Sequence, residues 1–328
     1  MPYGGRDTTI RTASVAVTMS VSNILTIDLE DWFQVSNLDQ YIGRELWDTC
    51  ESRLEASTYR LLAILDEAGA KATFFVLGWN AERHERLVRE IARRGHEIGI
   101  HGYHHALVYE QTPVQFSWEM EHCQRLVTSI TGRPARGYRA ASFSVVRRSL
   151  WALELLEKHG FEYDSSIFPI HHHRYGIPDS PGDPYRVAIN GHSSFLEFPI
   201  STMRWMGWRI GFSGGAYFRL LPYRVVAAGI KQLNAHGQSA VVYLHPWELD
   251  PDHPRLPLPW QMRLRCYGNL EHTEGKLRRL LRDFEFAPVE AHIDRCRRSS
   301  PCYRLTEGEL VLRDAPLATG ELQPVSKP

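Results

Sequence analysis

No cysteine pair at C-x-x-C spacing occurs in the chain, and its five cysteines, Cys50, Cys123, Cys266, Cys296 and Cys302, are scattered and odd in number. Neither a zinc knuckle nor a disulfide framework is indicated, which points to a reducing compartment. No run approaches eighteen apolar residues, so no membrane-spanning helix is predicted. The first twenty residues lack the continuous apolar core of a signal peptide, and cytoplasmic location is the default expectation. Residues 1–21 read as a loose, disordered extension, with Met19 as a second candidate start. Net charge is missing too: Lys+Arg and Asp+Glu each total 38, so nothing draws the whole chain toward nucleic acid or an anionic membrane. Basic clusters such as ERLVREIARRG follow helical spacing and read as solvated faces. What remains is 328 residues with 43% hydrophobic content, enough to bury one large α/β core with appendages.

Strand-like and helix-like segments alternate. Apolar or β-branched runs lie at 23–28, 72–77, 97–100, 137–140, 162–167, 195–200 and 239–244. Amphipathic stretches lie at 52–68, 81–94, 114–130, 146–158, 223–235 and 274–284. Gly69, Gly95, Gly132, Gly160 and Gly237 stand where helices would stop. Strand–helix–strand units imply parallel strands with right-handed crossovers. About seven such units favour a barrel, complete or not, over an open sheet, with the chemistry at the C-terminal strand ends. The Pro-, Gly- and His-rich stretch 168–194 reads as a long loop over that face. The division expected is a barrel at 22–250, an appendage packed on it at 251–289, and an irregular tail at 290–328.

Candidate chemistry gathers at those strand ends. His101 and His105, in IGIHGYHHALVYE, follow one apolar strand, and Asp28, Glu30 and Asp31, in NILTIDLEDWF, end another. Two imidazoles and one carboxylate form a metal-ligand set with open positions, and a second carboxylate beside the metal can act as base. Three acids so close would repel one another without a cation. On an extended backbone Asp28 and Glu30 share a face while Asp31 lies on the turn, but the residues alone leave the ligand open between Asp31 and Glu30. His104 should point elsewhere.

The ordered motifs NILTIDLEDWF, KATFFVLGW, HEIGIHGYHH, RGYRAASFS, FEYDSSIFP and YLHPWE resemble the polysaccharide deacetylases (NodB-like, carbohydrate esterase family 4) over about residues 22–285. More narrowly, they resemble the subgroup of exopolysaccharide loci with the exosortase/PEP-CTERM system. The resemblance implies a distorted (β/α)7 barrel and a divalent metal, zinc first. It casts Asp28 as catalytic base, the next acid, Asp31, as metal ligand with Glu30 as the alternative, and His101 and His105 as metal ligands. It further casts Arg139 as the group holding the base ionised, the Ser142 backbone N–H as oxyanion donor, His245 as general acid and Asp164 as its orienting partner. The first motif departs from the commoner T-F-D-D-G, Gly102 replaces a Ser or Thr, and Ala141 stands where Pro is common. Trp247, Tyr217 and Phe218 are candidates for a sugar-stacking cleft.

The leading expectation is therefore a hydrolase that removes N-acetyl groups from an amino-sugar polysaccharide. Its expected partners are that polymer and exopolysaccharide assembly machinery at the inner membrane, through which the protein would be membrane-associated. Rivals are a C–N hydrolase of small cyclic amides or formamides, a non-catalytic glycan-binding module, and a glycosidase using Asp28, Glu30 and Glu248; the last leaves the two histidines without a task.

Overall fold

A computed structural model describes residues 21–189, 192–306 and 309–312. The expected extension at 1–21 and the end of the expected tail, 313–328, lie almost wholly outside the described residues. The first strands are β1 (Asn23–Leu29), β2 (Thr73–Val76), β3 (Glu97–Ile100), β4 (Gly137–Tyr138) and β5 (Tyr163–Asp164). They are followed by β6 (Tyr185–Ile189), β7 (His192–Glu197), β8 (Thr202–Trp205), β9 (Trp208–Gly211) and β10 (Val241–Leu244), then β11 (Phe286–Ala287), β12 (Cys302–Thr306) and β13 (Glu309–Leu312). The helices on the outside of the sheet include α1 (Leu54–Glu67), α2 (Gly78–Arg83), α3 (Glu85–Arg93), α4 (Pro113–Thr131) and α5 (Trp151–Lys158). Later come α6 (Gly215–Leu220), α7 (Tyr223–Asn234), α8 (Trp260–Tyr267), α9 (Leu270–Asp283) and α10 (Ile293–Ser299).

Seven strands run parallel in the order β10-β1-β2-β3-β4-β5-β7, and these are the seven apolar runs. Burial on both faces explains their apolar character: all seven residues of β1 are buried. The expected barrel is not closed. Between β7 and β10 there is no ladder; Ser201, past the end of β7, accepts the Val241 N–H on its hydroxyl at 2.8 Å, and Ser213 O accepts the Tyr243 N–H at 3.0 Å. Beyond β7 the sheet continues through antiparallel β6, then β12 and β13.

Two expectations need correction. The 168–194 stretch is not all loop, because β6 and the start of β7 lie in it. Residues 293–306 are not part of an irregular tail, since α10 and β12 pack there and β12 pairs with β6. Alternating polar residues and the absence of a long apolar run hid β12. The expected single helix at 81–94 is two, broken at His84. The five stop glycines all have left-handed φ, between 63° and 82°. At Gly132 this conformation lets its N–H cap Thr128 O at the end of α4, a helix begun by a Thr112–Gln115 capping box with Pro113 in the first turn.

Strand alternation sorts the core. Leu25, Ile27 and Leu29 of β1 join Phe74, Val76, Val242 and Leu244 in the outer cluster beneath the helices. Ile24 joins Phe75, Val241 and Tyr243 in an inner cluster. Thr26, Asp28 and Glu30, at the same parity as Ile24, therefore point inward. No helix among the described residues is long and apolar enough to cross a membrane.

Candidate active site

The inward face of β1 supplies two buried carboxylates at its C-terminal end. Asp28 accepts a 2.7 Å hydrogen bond from Arg139 Nη1. Arg139 is fully buried and makes three further bonds: Nη1 to Thr26 Oγ1 (2.7 Å), Nε to Ser165 O (3.0 Å) and Nη2 to Ser165 Oγ (2.9 Å). Its guanidinium also lies 4.4 Å from the Phe75 ring centre. A buried ion pair with every guanidinium nitrogen engaged fixes the direction of the Asp28 carboxylate, whose Oδ2 faces His245 Nε2 at 3.8 Å.

Glu30 reaches the two histidines. Its Oε1 lies 2.8 Å from His101 Nε2 and 3.0 Å from His105 Nε2. His101 Nδ1 donates to Arg139 O at 2.7 Å, a contact that sets the tautomer and leaves Nε2 as a lone-pair donor. His105 Nδ1 contacts Ser36 Oγ at 3.2 Å, and Ser36 Oγ in turn accepts from Ser142 Oγ at 2.8 Å. His105 Nε2 is buried and hydrogen-bonds nothing, its approach to Glu30 being poorly aligned. Glu30, His101 and His105 thus offer ligand atoms within 4.8 Å of one another, and the donor set of two imidazoles and one carboxylate fits a divalent cation. Burial by itself would push the Glu30 carboxyl up, but the nearby imidazoles of His105, His245 and His101 outweigh it and hold it well below the usual range.

Asp31 does not join this set. Its side chain faces the outer side, where it accepts the N–H groups of Trp32 (2.8 Å), Arg53 (2.9 Å) and Leu54 (3.2 Å) and the Ser52 hydroxyl (2.7 Å). The side-chain period of two sends Asp28 and Glu30 one way and Asp31 the other. Asp31 is a cap of the following turn and of α1, and Glu30 is the carboxylate beside the histidines. His104 turns away, edge-on to Tyr103 at 4.3 Å.

His245 follows β10 and begins the 3₁₀ turn Pro246–Leu249. Glu248 Oε2 accepts both its backbone N–H and its Nδ1–H, each at 3.0 Å. Arg219 Nε donates to Glu248 Oε1 at 2.6 Å; its two terminal nitrogens donate to Gly268 O and Arg265 O. Burial alone would lower the His245 pKa, but Glu30, Glu248 and Asp28 raise it to about 9. Asp164, cast as the residue orienting His245, does not touch it. It sits opposite Glu197 in the β5–β7 register, receives the Ser166 hydroxyl, and is pushed up to about 6 by burial. Glu197 is pushed well above the usual carboxyl range by burial and by Asp164. Glu248 and Arg219 were missed as orienting groups, although the H-P-W-E spacing, with Pro at the first position of a turn, signals a residue folding back onto the histidine.

A cleft of about 430 Å³ opens over these groups, lined by Asp28, Glu30, His101, His105, Ser142 and His245. Tyr217 and Trp247 reach it; Trp247 stacks on His245 at 5.4 Å. Phe218 does not, being fully buried in the outer core. Among the described residues five non-glycines have positive φ, and three of them, His105 (53°), Ser142 (49°) and Phe143 (54°), line this cleft. Such backbone strain concentrates at functional sites.

Comparisons with known proteins bear on this geometry. Residues 46–163 match the family model described as polysaccharide deacetylase, and residues 165–294 match a domain of unknown function, DUF3473. A peptidoglycan deacetylase of Helicobacter pylori is 29% identical over 154 residues, 46% of this chain and 47% of that protein. A peptidoglycan deacetylase-like protein, FGM2, of Gibberella zeae is 34% identical over 33% of this chain and 32% of its own length. The chain thus spans half or less of the length of these curated relatives. The solved structure of a putative polysaccharide deacetylase from Mycobacterium smegmatis superposes with a TM-score of 0.56 at 20% identity, covering 85% of this chain and 92% of that one. At such identity the likeness is one of fold. The two family models do not mark two separate bodies here: His101, His105 and Arg139 fall in the first, Arg219, His245 and Glu248 in the second, and one parallel sheet carries both. On these findings residues 46–163 carry the sequence pattern of the polysaccharide deacetylase family, on a mixed α/β fold similar to that of its solved structures.

Proposed function

We propose that the protein is a metal-dependent hydrolase that removes N-acetyl groups from an amino-sugar polysaccharide. The observation that carries this reading is the convergence of Glu30, His101 and His105 on one point, flanked by Asp28 and His245 with 3.8 Å between their reactive atoms. A divalent cation held by Glu30 and the two Nε2 atoms, zinc first by its donor set, would polarise an acetamide carbonyl and lower the pKa of water toward ~7. Asp28, oriented by Arg139, takes the proton from the attacking water at Oδ2. His245 Nε2 donates a proton to the departing amine nitrogen, which leaves poorly unless protonated. Glu248, itself clamped by Arg219, holds the ring through Nδ1 and favours its charged form. The Ser142 N–H, on its left-handed turn at the cleft wall, is the proposed oxyanion donor, worth about 3 kcal/mol in such a role. Tyr217 and Trp247 are the proposed stacking surfaces for the sugar.

The open, aromatic-lined cleft favours a polymer over a small cyclic amide. The motif resemblance supports an exopolysaccharide as that polymer, with its assembly machinery at the inner membrane as partner. Acetate release from N-acetylglucosamine oligomers by metal-loaded protein, abolished by a chelator and restored by zinc, is the expected result. Full turnover in metal-free protein would overturn the reading.

A further inference from the structure

Beside the catalytic cleft lies a second cavity of about 550 Å³, bounded by Ile170, His171 and Pro178 on one side and by Arg204, Trp208 and Arg209 of the β8–β9 hairpin on the other. The segment 168–175 separates the two. His171 lines the second cavity and His172 the cleft, and Phe168 packs on Tyr175 (5.8 Å) and Tyr217 (6.2 Å), both cleft residues. Arg204 and Arg209 are direct cross-strand partners, an arrangement of like charges that disfavours the hairpin unless an anion lies between them. Among the described residues neither has a carboxylate within ion-pair distance. Arg209 donates to Ser180 O; Asp183 acts on both arginines and Asp179 on Arg209, each beyond ion-pair distance, with Asp179 paired to Arg147 and Asp183 accepting from Gln238. Arg204 is exposed and Trp208 is 68% exposed at the cavity edge.

We propose that this arginine pair is a subsite for an anionic sugar, a carboxylate-bearing residue of the same glycan whose acetamide occupies the catalytic cleft. The proposal rests on the deacetylase reading for its substrate and narrows it to acidic amino-sugar polymers. Two planar guanidinium forks facing one cavity match a carboxylate, and an exposed indole beside them offers a face for the sugar ring. A membrane surface would engage the exposed hairpin tip, Trp205 and Met206, rather than the cavity that both arginines line, and would leave both oligomers of the test unbound.

The test compares binding of two hexasaccharides to the full chain by calorimetry: one alternating N-acetylglucosamine and glucuronate, the other all N-acetylglucosamine. The acidic oligomer is expected to bind more tightly, and Arg204→Gln with Arg209→Gln to weaken it about tenfold or more while leaving the neutral oligomer unchanged. Arg204→Gln alone, at an exposed side chain, gives the same direction should the double variant fold poorly. Equal affinity for both oligomers, no binding of either, or no effect of the substitutions overturns the proposal. Acetate release from the neutral oligomer, followed in parallel, separates the two claims: it persists if only the subsite is wrong, and it is absent with arginine-dependent binding intact if only the deacetylase reading is wrong.

Discussion

Two buried acids on this sheet are held in opposite ways. Asp28 is bonded to Arg139, every nitrogen of which is engaged, so one carboxyl oxygen is fixed there and the other is aimed into the cleft. Asp164 faces Glu197 with no cation bonded to either, and burial raises both, so the pair holds a proton. A guanidinium is bonded to the one acid, while burial raises the other. On the proposed function Asp28 is the reactive acid and Asp164 a tie between strands, although the motif resemblance gave both catalytic tasks.

The difference can be broken at each member. Asp28→Asn keeps the shape and removes the base, and His245→Ala removes the acid; each is expected to lower kcat by about 100- to 10,000-fold in an acetate-release assay. Asp164→Asn should leave kcat within a small factor, and a loss as large as that of Asp28→Asn would restore Asp164 to the mechanism. Next in size is the ligand question. Glu30→Gln should abolish tight metal binding by elemental analysis. Asp31→Asn should leave the metal in place and cost about 1 kcal/mol of thermal stability through the lost cap.

Glu248→Gln sharpens the account of the acid. His245 must be protonated to act, so activity falls as pH rises through its pKa, which Glu248 helps raise to about 9. Removing that negative charge should move the alkaline limb of the pH–kcat profile to lower pH, with a smaller loss of kcat than for His245→Ala. The smallest effect concerns stability. Asp164 is raised from 3.8 to about 6, so the folded protein binds more protons than the unfolded chain. This contribution is complete below the unfolded value and is lost as pH rises through about 6. Glu197→Gln should flatten that decline in melting temperature between pH 4 and 7.

Much of this was legible in the sequence. The seven parallel strands are buried on both faces and so write themselves as apolar runs; β12, with exposed polar residues at alternate positions, and β13, short and mostly exposed, do not. The strand period of two put Asp28 and Glu30 on one face, but Glu30 and Asp31 lie past the end of β1, so the choice between them stayed open in the sequence. The partners of His245 were hidden for a different reason. Arg219 lies far from it in sequence and meets Glu248 only after the helices between β9 and β10 are packed. Barrel closure was equally invisible, because Ser201 and Ser213 take the place of a ladder and leave no periodic signal.

The most direct test is anomalous diffraction at the zinc edge from crystals grown with zinc. A single strong peak is expected at roughly 2.0–2.2 Å from a Glu30 carboxylate oxygen, His101 Nε2 and His105 Nε2, with Asp31 still bonded to the Trp32 and Arg53 amides. A peak on Asp31, or none between the histidines in protein that still releases acetate, would contradict it.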